Sequence, residues 1–277
     1  MALVPNPRAV VTGAGGGLGR ALCREIIRRG GRVVASDVDL DAARATVTAL
    51  AGGDAHAVAC DVSQLDQVER LASESERLLG GVDLVVNNAG VAVSGNVGDV
   101  PMRDWEWIVR INLWGPIYGC HVFLPRLRHQ GHCHVLNVAS AAGLLAAPNM
   151  GPYNVTKAGV VALSETLYGE LVGSGVGVSV LCPTFFQTGI VDASRTSGST
   201  DMREVARGLM SGARIQADQV ARIALDGVAR NALHVLPHPN GRWLWRLKRL
   251  FPRGFHALTP RALALRTRFA TAQPRRT

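Results

Sequence analysis

Short apolar runs alternate with longer amphipathic stretches along most of the chain. The runs are too short for ordinary helices, whereas the stretches between them repeat their apolar residues every three or four positions. Strands that are apolar on both faces and separated by helices are typical of a parallel sheet covered on both sides. The predicted strands are residues 9–11, 32–36, 55–60, 82–86, 134–138, 176–181 and 232–236. We therefore predict an α/β fold with a single doubly wound parallel β-sheet.

The helical stretches connect these strands without a linker or an internal repeat. The clearest of them are residues 18–27, 64–79, 102–129 and 218–230. The stretch 102–129 is expected to be interrupted near Gly115 and Pro116. We expect residues 1–240 to form one domain. Within that domain, residues 184–216 contain a Ser/Thr/Gly-rich segment and predict a lid over a binding cleft.

Polar residues follow the predicted strands at the point where each strand ends. They are Thr12, Asp37, Asp61, Asn88 and Ser140. The carboxyl ends of parallel strands meet at one edge of the sheet, and ligands bind there. These residues therefore predict the position of a cleft.

A glycine-rich segment, TGAGGGLG at residues 12–19, lies between the first predicted strand and the first predicted helix. This is the context in which a dinucleotide fingerprint is meaningful. Glycines let the backbone approach a pyrophosphate, and the helix N-terminus offers amide donors. The alternative interpretation is a glycine-rich turn that binds nothing.

Asp37 ends the second predicted strand, about 20 residues after the glycines. A carboxylate there can accept hydrogen bonds from both ribose hydroxyls of an adenosine and would repel a 2′-phosphate. Neither Gly16 nor Val38 is basic, so the sequence favours NAD over NADP. Alternatively, Asp37 caps the helix that begins near Leu40.

Ser140, Tyr153 and Lys157 are polar residues in a largely apolar stretch. Tyr153 and Lys157 are four positions apart and would share one face of a helix. A phenol ordinarily has a pKa of about 10, and a neighbouring ammonium lowers that value. The trio predicts a Tyr acid/base, with Ser140 polarising a substrate oxygen. A buried Tyr beside a solvated Lys would show the same spacing.

Asn112 and a group of three histidines have explanations that do not involve a catalytic or metal site. Asn112 lies inside a predicted helix, where Asn has poor propensity. Taken alone, it favours a structural amide bonded to neighbouring backbone, with a place in a polar relay as the alternative. The histidines at 129, 132 and 134 lie in a turn before a strand without a carboxylate or a second cluster, so we predict no metal site.

Composition narrows the class of protein. Hydrophobic residues make up 47% of the 277 residues, which favours a globular core over disorder. The five cysteines lack C-x-x-C spacing, as expected for reduced thiols in a cytoplasm. They are Cys23, Cys60, Cys120, Cys133 and Cys182. Neither a signal-peptide pattern nor a spanning apolar run is evident, so we expect a cytoplasmic protein.

The net charge of +9 comes from the end of the chain. Residues 1–226 hold 19 Lys/Arg and 21 Asp/Glu, a balance of −2, whereas residues 227–277 hold 11 Lys/Arg and no acid. The tail at 241–277 can form a basic amphipathic helix. Its apolar stripe would consist of Trp243, Leu247, Leu250 and Phe251. Such a helix can lie on an anionic membrane. Packing on the body or on another subunit is the favoured alternative, and nucleic acid is not expected as a partner.

These motifs, in this order over residues 9–236, resemble the short-chain dehydrogenase/reductase family in its compact subgroup. The resemblance is carried by T-G-x-x-x-G-x-G at residues 12–19, by N-N-A-G at residues 87–90, and by the spacing of four later residues. Those four are Asn112, Ser140, Tyr153 and Lys157. The resemblance implies a Rossmann fold and a nicotinamide-dependent oxidoreductase.

The resemblance also implies a role for each matching residue. The implied catalytic residues are Asn112, Ser140, Tyr153 and Lys157, of which Ser140 and Tyr153 contact substrate and Tyr153 and Lys157 contact cofactor. The other implied cofactor residues are Gly13, Gly17, Leu18, Gly19, Asp37, Asp61, Val62, Asn88, Ala89, Gly90 and Thr188. The family's Pro-Gly pair is Pro183-Thr184 in this chain, so the carry-over to Thr188 is the least direct.

We expect hydride transfer between NAD(H) and a hydrophobic secondary alcohol or ketone, lipid- or steroid-like. The alternatives are an NADPH-dependent carbonyl reductase and a non-catalytic nicotinamide sensor or scaffold. The expected substrate lining is mostly apolar and lacks a pair of arginines. It consists of Val91, Ala92, Val93, Leu144, Leu145, Met150, Phe185, Phe186 and Ile190. The resemblance further implies a homodimer or homotetramer, with close packing at Ala158, Gly159 and Ala162.

Overall fold

The computed structural model describes residues 4–50, 52–191, 194–197, 208 and 210–259. Its centre is a seven-stranded sheet, parallel throughout, with the order β3-β2-β1-β4-β6-β7-β9. The strands are β1 Arg8–Thr12, β2 Arg32–Asp37, β3 Ala55–Ala59, β4 Leu84–Asn87, β6 Cys133–Val138, β7 Val176–Leu181 and β9 His234–Val235. A second, two-stranded parallel sheet pairs β5 Val93–Ser94 with β8 Arg195–Thr196. The predicted fold class is confirmed.

Helices connect the strands and cover both faces of the sheet. They are α1 Gly17–Arg28, α2 Leu40–Ala49, α3 Leu65–Leu79, α4 Met102–Val109, α5 Gly115–Gln130, α6 Ala141–Leu145, α7 Gly151–Glu170, α8 Ala217–Ala229 and α9 Pro239–Leu250. None of the helices in the described part of the chain is both long and apolar enough to cross a membrane.

Successive residues of the central strands point into two different cores. Val10 and Val85 pack with α3 and α5, whereas Val11 and Val86 pack with α1 and α8. Alternation along a strand places neighbouring side chains on opposite faces of the sheet. Fully burying a Val or Leu side chain stabilises a fold by about 1.5–3 kcal/mol. This explains why the strands are apolar throughout.

The strand order reverses at β1, which pairs with β2 on one side and β4 on the other. The loops after β1 and β4 therefore leave the sheet in opposite directions and open a crevice at its carboxyl edge. Thr12 and Asp37 end β1 and β2, and Asn88 and Ser140 closely follow β4 and β6. The predicted meeting of strand ends is confirmed.

The helical stretch 102–129 is interrupted next to Gly115 and Pro116, as predicted. A π-helical turn at Arg110–Trp114 separates α4 from α5, and the Gly115 N–H donates to the Arg110 carbonyl, five residues back. Gly115 and Pro116 begin α5, because a Pro at the start of a helix has no N–H to leave unpaired there. The interruption thus includes Asn112 and ends at the Gly-Pro pair.

The predicted lid at 184–216 is described only in part. Residues 192–193, 198–207 and 209 lie outside the described residues. Within the part that is described, the Arg195 N–H donates to the Ala92 carbonyl at 3.0 Å. The Arg195 guanidinium lies 3.9 Å from the centre of the Trp107 ring and pairs with Asp104 at 2.8 Å. This segment is therefore held against β5.

His134 lies in the middle of the sheet and makes stability depend on pH. Its Nε2 lies 2.9 Å from the Ser179 Oγ, and burial lowers its pKa to about 3. An unfolded His has a pKa of about 6.5. The unfolded chain thus binds the proton first, and stability falls as pH drops from about 6.5 towards 3.

We expect the His134→Gln variant to lose this dependence. Urea unfolding measures the free energy of unfolding of both proteins at neutral pH and at about pH 5. The amount by which wild type is more stable than the variant should be smaller at about pH 5. An advantage that is the same at both pH values would contradict the neutral, buried state of His134.

Candidate active site

The glycine segment after β1 forms a tight turn that only glycine accommodates at two positions. Gly13 has φ +65°, and a Cβ there would lie 2.7 Å from the Ala89 Cα. A Cβ on Gly19 would overlap the Gly13 carbonyl oxygen. The absent side chains keep the turn close to the β4 loop and leave its backbone accessible. The turn therefore fits a pyrophosphate cradle at the N-terminus of α1.

Thr12 and Asn88 hold this turn in place. The Thr12 hydroxyl accepts hydrogen bonds from the backbone N–H groups of Asn88 and Ala89, at 3.0 and 3.1 Å. The Asn88 amide donates to the Thr12 and Gly13 carbonyls at 2.8 and 3.1 Å. The two loops that border the crevice are thus cross-linked by side chains. Asn88 acts on the turn's backbone, a role that its sequence motif alone does not reveal.

Asp37 faces the glycine turn and does not cap α2. Its Oδ2 accepts the Gly15 N–H at 2.8 Å, and its Oδ1 accepts the Asp39 N–H at 3.1 Å. The cap of α2 is Asp39, whose side chain accepts from the N–H groups of Asp41 and Ala42. The capping alternative for Asp37 is therefore wrong. Its carboxylate lies where a ribose would contact it.

Asp61 and Val62 continue the same edge of the crevice beyond β3. The Asp61 Oδ1 accepts the Ser63 N–H at 2.9 Å. Val62 is buried against α5, where a Cβ on Gly115 would lie 3.0 Å from a Val62 methyl. Both residues lie in a fixed loop next to Asp37, whose carbonyl accepts the Cys60 N–H.

Lys157 and Tyr153 come together on α7, as their spacing predicts. The Lys157 Nζ lies 5.9 Å from the centre of the Tyr153 ring. Lys157 is only 3% exposed, and its ammonium donates to the Val138 carbonyl at 2.9 Å. A solvated Lys is thus ruled out. The hydrogen bond directs the ammonium to the end of β6.

The pKa values in this site depart from the simplest expectation. Burial raises the pKa of Tyr153 above 10, while the hydrogen bond with the Ser140 hydroxyl lowers it in part. The ring is half-buried, so water still reaches it. Burial also lowers the pKa of Lys157 to about 8. Burial, and not Lys157, therefore has the largest effect on the Tyr153 pKa.

Ser140 begins α6 and is fixed by that position. Its Oγ accepts the Ala142 N–H at 3.1 Å, as an N-cap does. Helix α6 lies against α7 at Gly143, where a Cβ would lie 2.5 Å from the Lys157 carbonyl carbon. This close approach brings Ser140 to Tyr153. Gly143 was not predicted, because its role depends on a contact between two helices.

Asn112 is fully buried and bonded to backbone. Its Oδ1 accepts the Val91 N–H and its Nδ2 donates to the Val91 carbonyl, both at 2.8 Å. A Cβ on Gly90 would lie 3.3 Å from both the Asn112 Oδ1 and the Lys157 Nζ. The structural role favoured for its side chain is confirmed. The side chain sets the position of the Gly90–Val91 segment beside Lys157.

The loop after β7 is tied to the C-terminal helix through a histidine that sequence reasoning missed. The Thr184 N–H donates to the His238 Nδ1 at 3.2 Å, and the His238 Nε2 donates to the Ile215 carbonyl at 3.3 Å. Burial lowers the pKa of His238, which favours this neutral tautomer. Thr188, farther along the loop, lies beside Gly17 of the glycine turn. In the sequence, His238 is a single histidine before a proline, and this pattern does not predict a contact with the loop after β7.

Three of the nine residues predicted to line the substrate cleft are buried in hydrophobic clusters, and the cluster of Val93 also contacts Tyr153. Phe186 packs in the core beside α1 and stacks on His238, with 6.2 Å between ring centres. Leu144 packs with β7 and α7 residues, and Val93 packs with Val100 below α4. Apolar character alone does not separate a cleft from a core. The other six are partly or largely exposed: Val91, Ala92, Leu145, Met150, Phe185 and Ile190.

Among the described residues, no group of three or more His, Cys, Asp or Glu side chains is placed to hold a metal ion. All five cysteines are free and buried.

Comparison with known proteins gives a consistent result. The family described as short chain dehydrogenase matches residues 7–198. A solved short-chain dehydrogenase/reductase from Burkholderia phymatum, in complex with NAD, is 36% identical, with a TM-score of 0.82 over 87% of this chain and 92% of its own. A 1-deoxy-11-beta-hydroxypentalenate dehydrogenase from Streptomyces exfoliatus is 33% identical over 84% of each chain. A CLA biosynthesis dehydrogenase/reductase from Lactiplantibacillus plantarum is 28% identical over 83% of this chain and 87% of its own.

We expect Gly19→Ala to disrupt the glycine turn, because the new methyl group would overlap the Gly13 carbonyl. NADH affinity, measured by fluorescence titration, should fall by at least about tenfold, since 1.4 kcal/mol of lost contact is tenfold. Gly169→Ala is the matched control, because a Cβ there meets nothing within 4 Å and Gly169 lies outside the glycine turn. Unchanged NADH affinity in Gly19→Ala would contradict the cradle.

Proposed function

The chain belongs to the short-chain dehydrogenase family, and we propose that it transfers hydride between NAD(H) and a hydrophobic secondary alcohol or its ketone. As a member of this family it is an oxidoreductase that acts on CH–OH groups. The observation that carries the proposal is the meeting of Ser140, Tyr153 and Lys157 at the end of β6, beside a glycine turn.

In this proposal Tyr153 exchanges the proton of the substrate hydroxyl. During alcohol oxidation the Tyr153 phenolate accepts the O–H proton, and the Ser140 hydroxyl donates a hydrogen bond to the substrate oxygen. During ketone reduction the Tyr153 phenol returns that proton to the same oxygen. NAD, when bound, supplies the partner that accepts or gives up the hydride.

Lys157 supports this proton exchange through its charge. With a pKa of about 8, its amine is mostly protonated at neutral pH. A buried positive charge favours the anionic phenolate over the neutral phenol. Burial raises the Tyr153 pKa and so opposes the phenolate. The positive charge of an oxidised nicotinamide would act with Lys157 to favour the phenolate.

Asp37 supports NAD over NADP. Its carboxylate lies at the glycine turn and would repel a 2′-phosphate, and the neighbouring Val38 is 72% exposed and uncharged. The solved relative from Burkholderia phymatum binds NAD. NADPH-dependent carbonyl reduction, the alternative among enzymes, would need a cation beside the ribose.

The accessible residues beside Tyr153 support a hydrophobic substrate. Val91 and Tyr153 both pack against the cluster of Val93, Val100 and Ile108, and Leu145 and Met150 are partly exposed. An apolar wall stabilises an apolar substrate at about 25 cal/mol per Å² buried. A small polar polyol would gain little from these side chains.

A nicotinamide sensor or scaffold is the alternative outside enzymes. A sensor needs the glycine turn and Asp37 but gains nothing from a buried ammonium. Burying Lys157 costs free energy, which its single hydrogen bond to Val138 offsets only in part. That cost favours a catalytic role.

We further propose that the enzyme is a homodimer or homotetramer in the cytoplasm. The exposed face of α7 and the start of α5 carries Trp114, Val155, Ala158 and Ala162. Gly159 does not belong to this face, because a Cβ there would lie 2.8 Å from Leu113 of the same chain. Packing within the chain is thus already enough to require glycine at position 159.

We expect Tyr153→Phe to abolish turnover, with a loss of at least about 100-fold, because the acid/base is removed. NADH affinity should stay within about twofold of wild type, since the ring remains. Activity assays measure turnover, and fluorescence titration measures NADH affinity. Tyr168→Phe, on the same helix but away from the site, should retain activity. Turnover in Tyr153→Phe would remove Tyr153 from its role.

We expect wild type to bind NADH at least about tenfold more tightly than NADPH, and Asp37→Asn to narrow this difference. The same cofactors, offered with a panel of alcohols and ketones, should support turnover of apolar secondary alcohols or ketones. Turnover of small polyols alone would defeat the substrate assignment. Tight NADH binding without turnover across the panel would favour the sensor.

A further inference from the structure

The C-terminal helix α9 is held against the body by one stripe of its surface. The Arg242 Nε donates to the Leu236 carbonyl at 2.8 Å, and the Lys248 Nζ donates to the Leu144 carbonyl at 2.7 Å. Between them, the Trp245 ring lies 5.1 Å from the His234 ring. These residues are three positions apart and share one face of the helix. The contacts fix which face is left to solvent.

The face left to solvent carries three of the four residues of the predicted apolar stripe, whereas Leu247 is partly buried. Trp243, Leu250 and Phe251 are 62%, 73% and 64% exposed. A second helical segment, residues 252–259, follows at once and leaves Leu258 60% exposed. Scattered single exposed apolar residues are ordinary, but a continuous group of large ones marks an interaction site.

Arginines surround this apolar group. Arg246, Arg249 and Arg253 are exposed, and none of them forms an ion pair among the described residues. The chain from 227 to 277 holds no Asp or Glu. Arg249 lies nearer the docked side, 5.4 Å from the Trp245 ring. We call the surface formed by Trp243, Leu250, Phe251, Arg246 and Arg253 the C-terminal face.

We propose that the C-terminal face binds the surface of an anionic lipid bilayer. Trp, Leu and Phe side chains enter the headgroup region, and the arginines contact lipid phosphates. A second copy of this chain is less suited, because two copies of the same basic surface would repel each other. Nucleic acid gains little from exposed Leu and Phe side chains, which its phosphate backbone does not contact.

The test uses full-length protein and co-sedimentation with vesicles of phosphatidylcholine, with or without phosphatidylglycerol. We expect binding only to the vesicles that contain phosphatidylglycerol, weakening as salt is raised. The triple variant Trp243→Ser/Leu250→Ser/Phe251→Ser should bind at least about tenfold less. Its control, Met102→Ser/Val172→Ser, removes equally exposed apolar side chains elsewhere and should bind like wild type.

The variant Arg246→Gln/Arg253→Gln tests the contribution of charge. We expect binding to anionic vesicles to weaken by about fivefold for each arginine removed. Arg249 is left in place because it lies 5.4 Å from the Trp245 ring and could support the docking of α9. The control is Arg70→Gln/Arg77→Gln on α3. NADH affinity confirms that each variant is folded and keeps this result separate from the proposed activity.

Absence of binding to anionic vesicles would overturn the proposal. An equal loss of vesicle binding in the C-terminal variants and in their controls would also overturn it. A triple variant that changes the sedimentation coefficient of the protein but binds vesicles normally would assign the C-terminal face to a second copy instead.

Discussion

The hydrogen bond from the Lys157 ammonium to the Val138 carbonyl determines the geometry of the whole site. It joins the middle of α7 to the last residue of β6 and is almost completely buried. A hydrogen bond from a charged donor contributes about 1.5–3 kcal/mol, and a buried ammonium without one would be strongly unfavourable. If α7 slid or rotated on the sheet, this hydrogen bond would break and leave a buried ammonium unpaired. Tyr153, one turn earlier, is held beside Ser140 as a consequence.

The same burial that fixes the site also works against its chemistry. Burial raises the pKa of the Tyr153 phenol and lowers the pKa of the Lys157 ammonium. A positive charge that enters the crevice would lower the Tyr153 pKa. The loops that Thr12 and Asn88 cross-link, and the Asp37 carboxylate at the glycine turn, border the crevice in which such a ligand would bind. We therefore infer that proton transfer is coupled to cofactor binding through electrostatics.

Much of this site could be predicted because its residues follow fixed local patterns. Asp37 and Asn88 lie at the ends of parallel strands, which places them at the carboxyl edge of the sheet. Tyr153 and Lys157 are four residues apart on a helix, which places them on the same face. The remainder depends on contacts between distant segments. Gly143 matters only because α6 meets α7, and His238 only because the chain returns to Thr184. The sequence left open what covers the apolar stripe of α9; in the structure, polar atoms of Arg242 and Lys248 dock the helix, and Trp243, Leu250 and Phe251 remain exposed.

Ionisation of Tyr153 itself tests the account most directly. Ultraviolet difference titration of wild type against Tyr153→Phe isolates the one phenol among three tyrosines. The account predicts that burial holds the Tyr153 pKa above that of an ordinary phenol in the free protein, and that bound NAD⁺ lowers it. A pKa that stays above 10 with NAD⁺ bound, in a protein that still oxidises an alcohol at neutral pH, would contradict it.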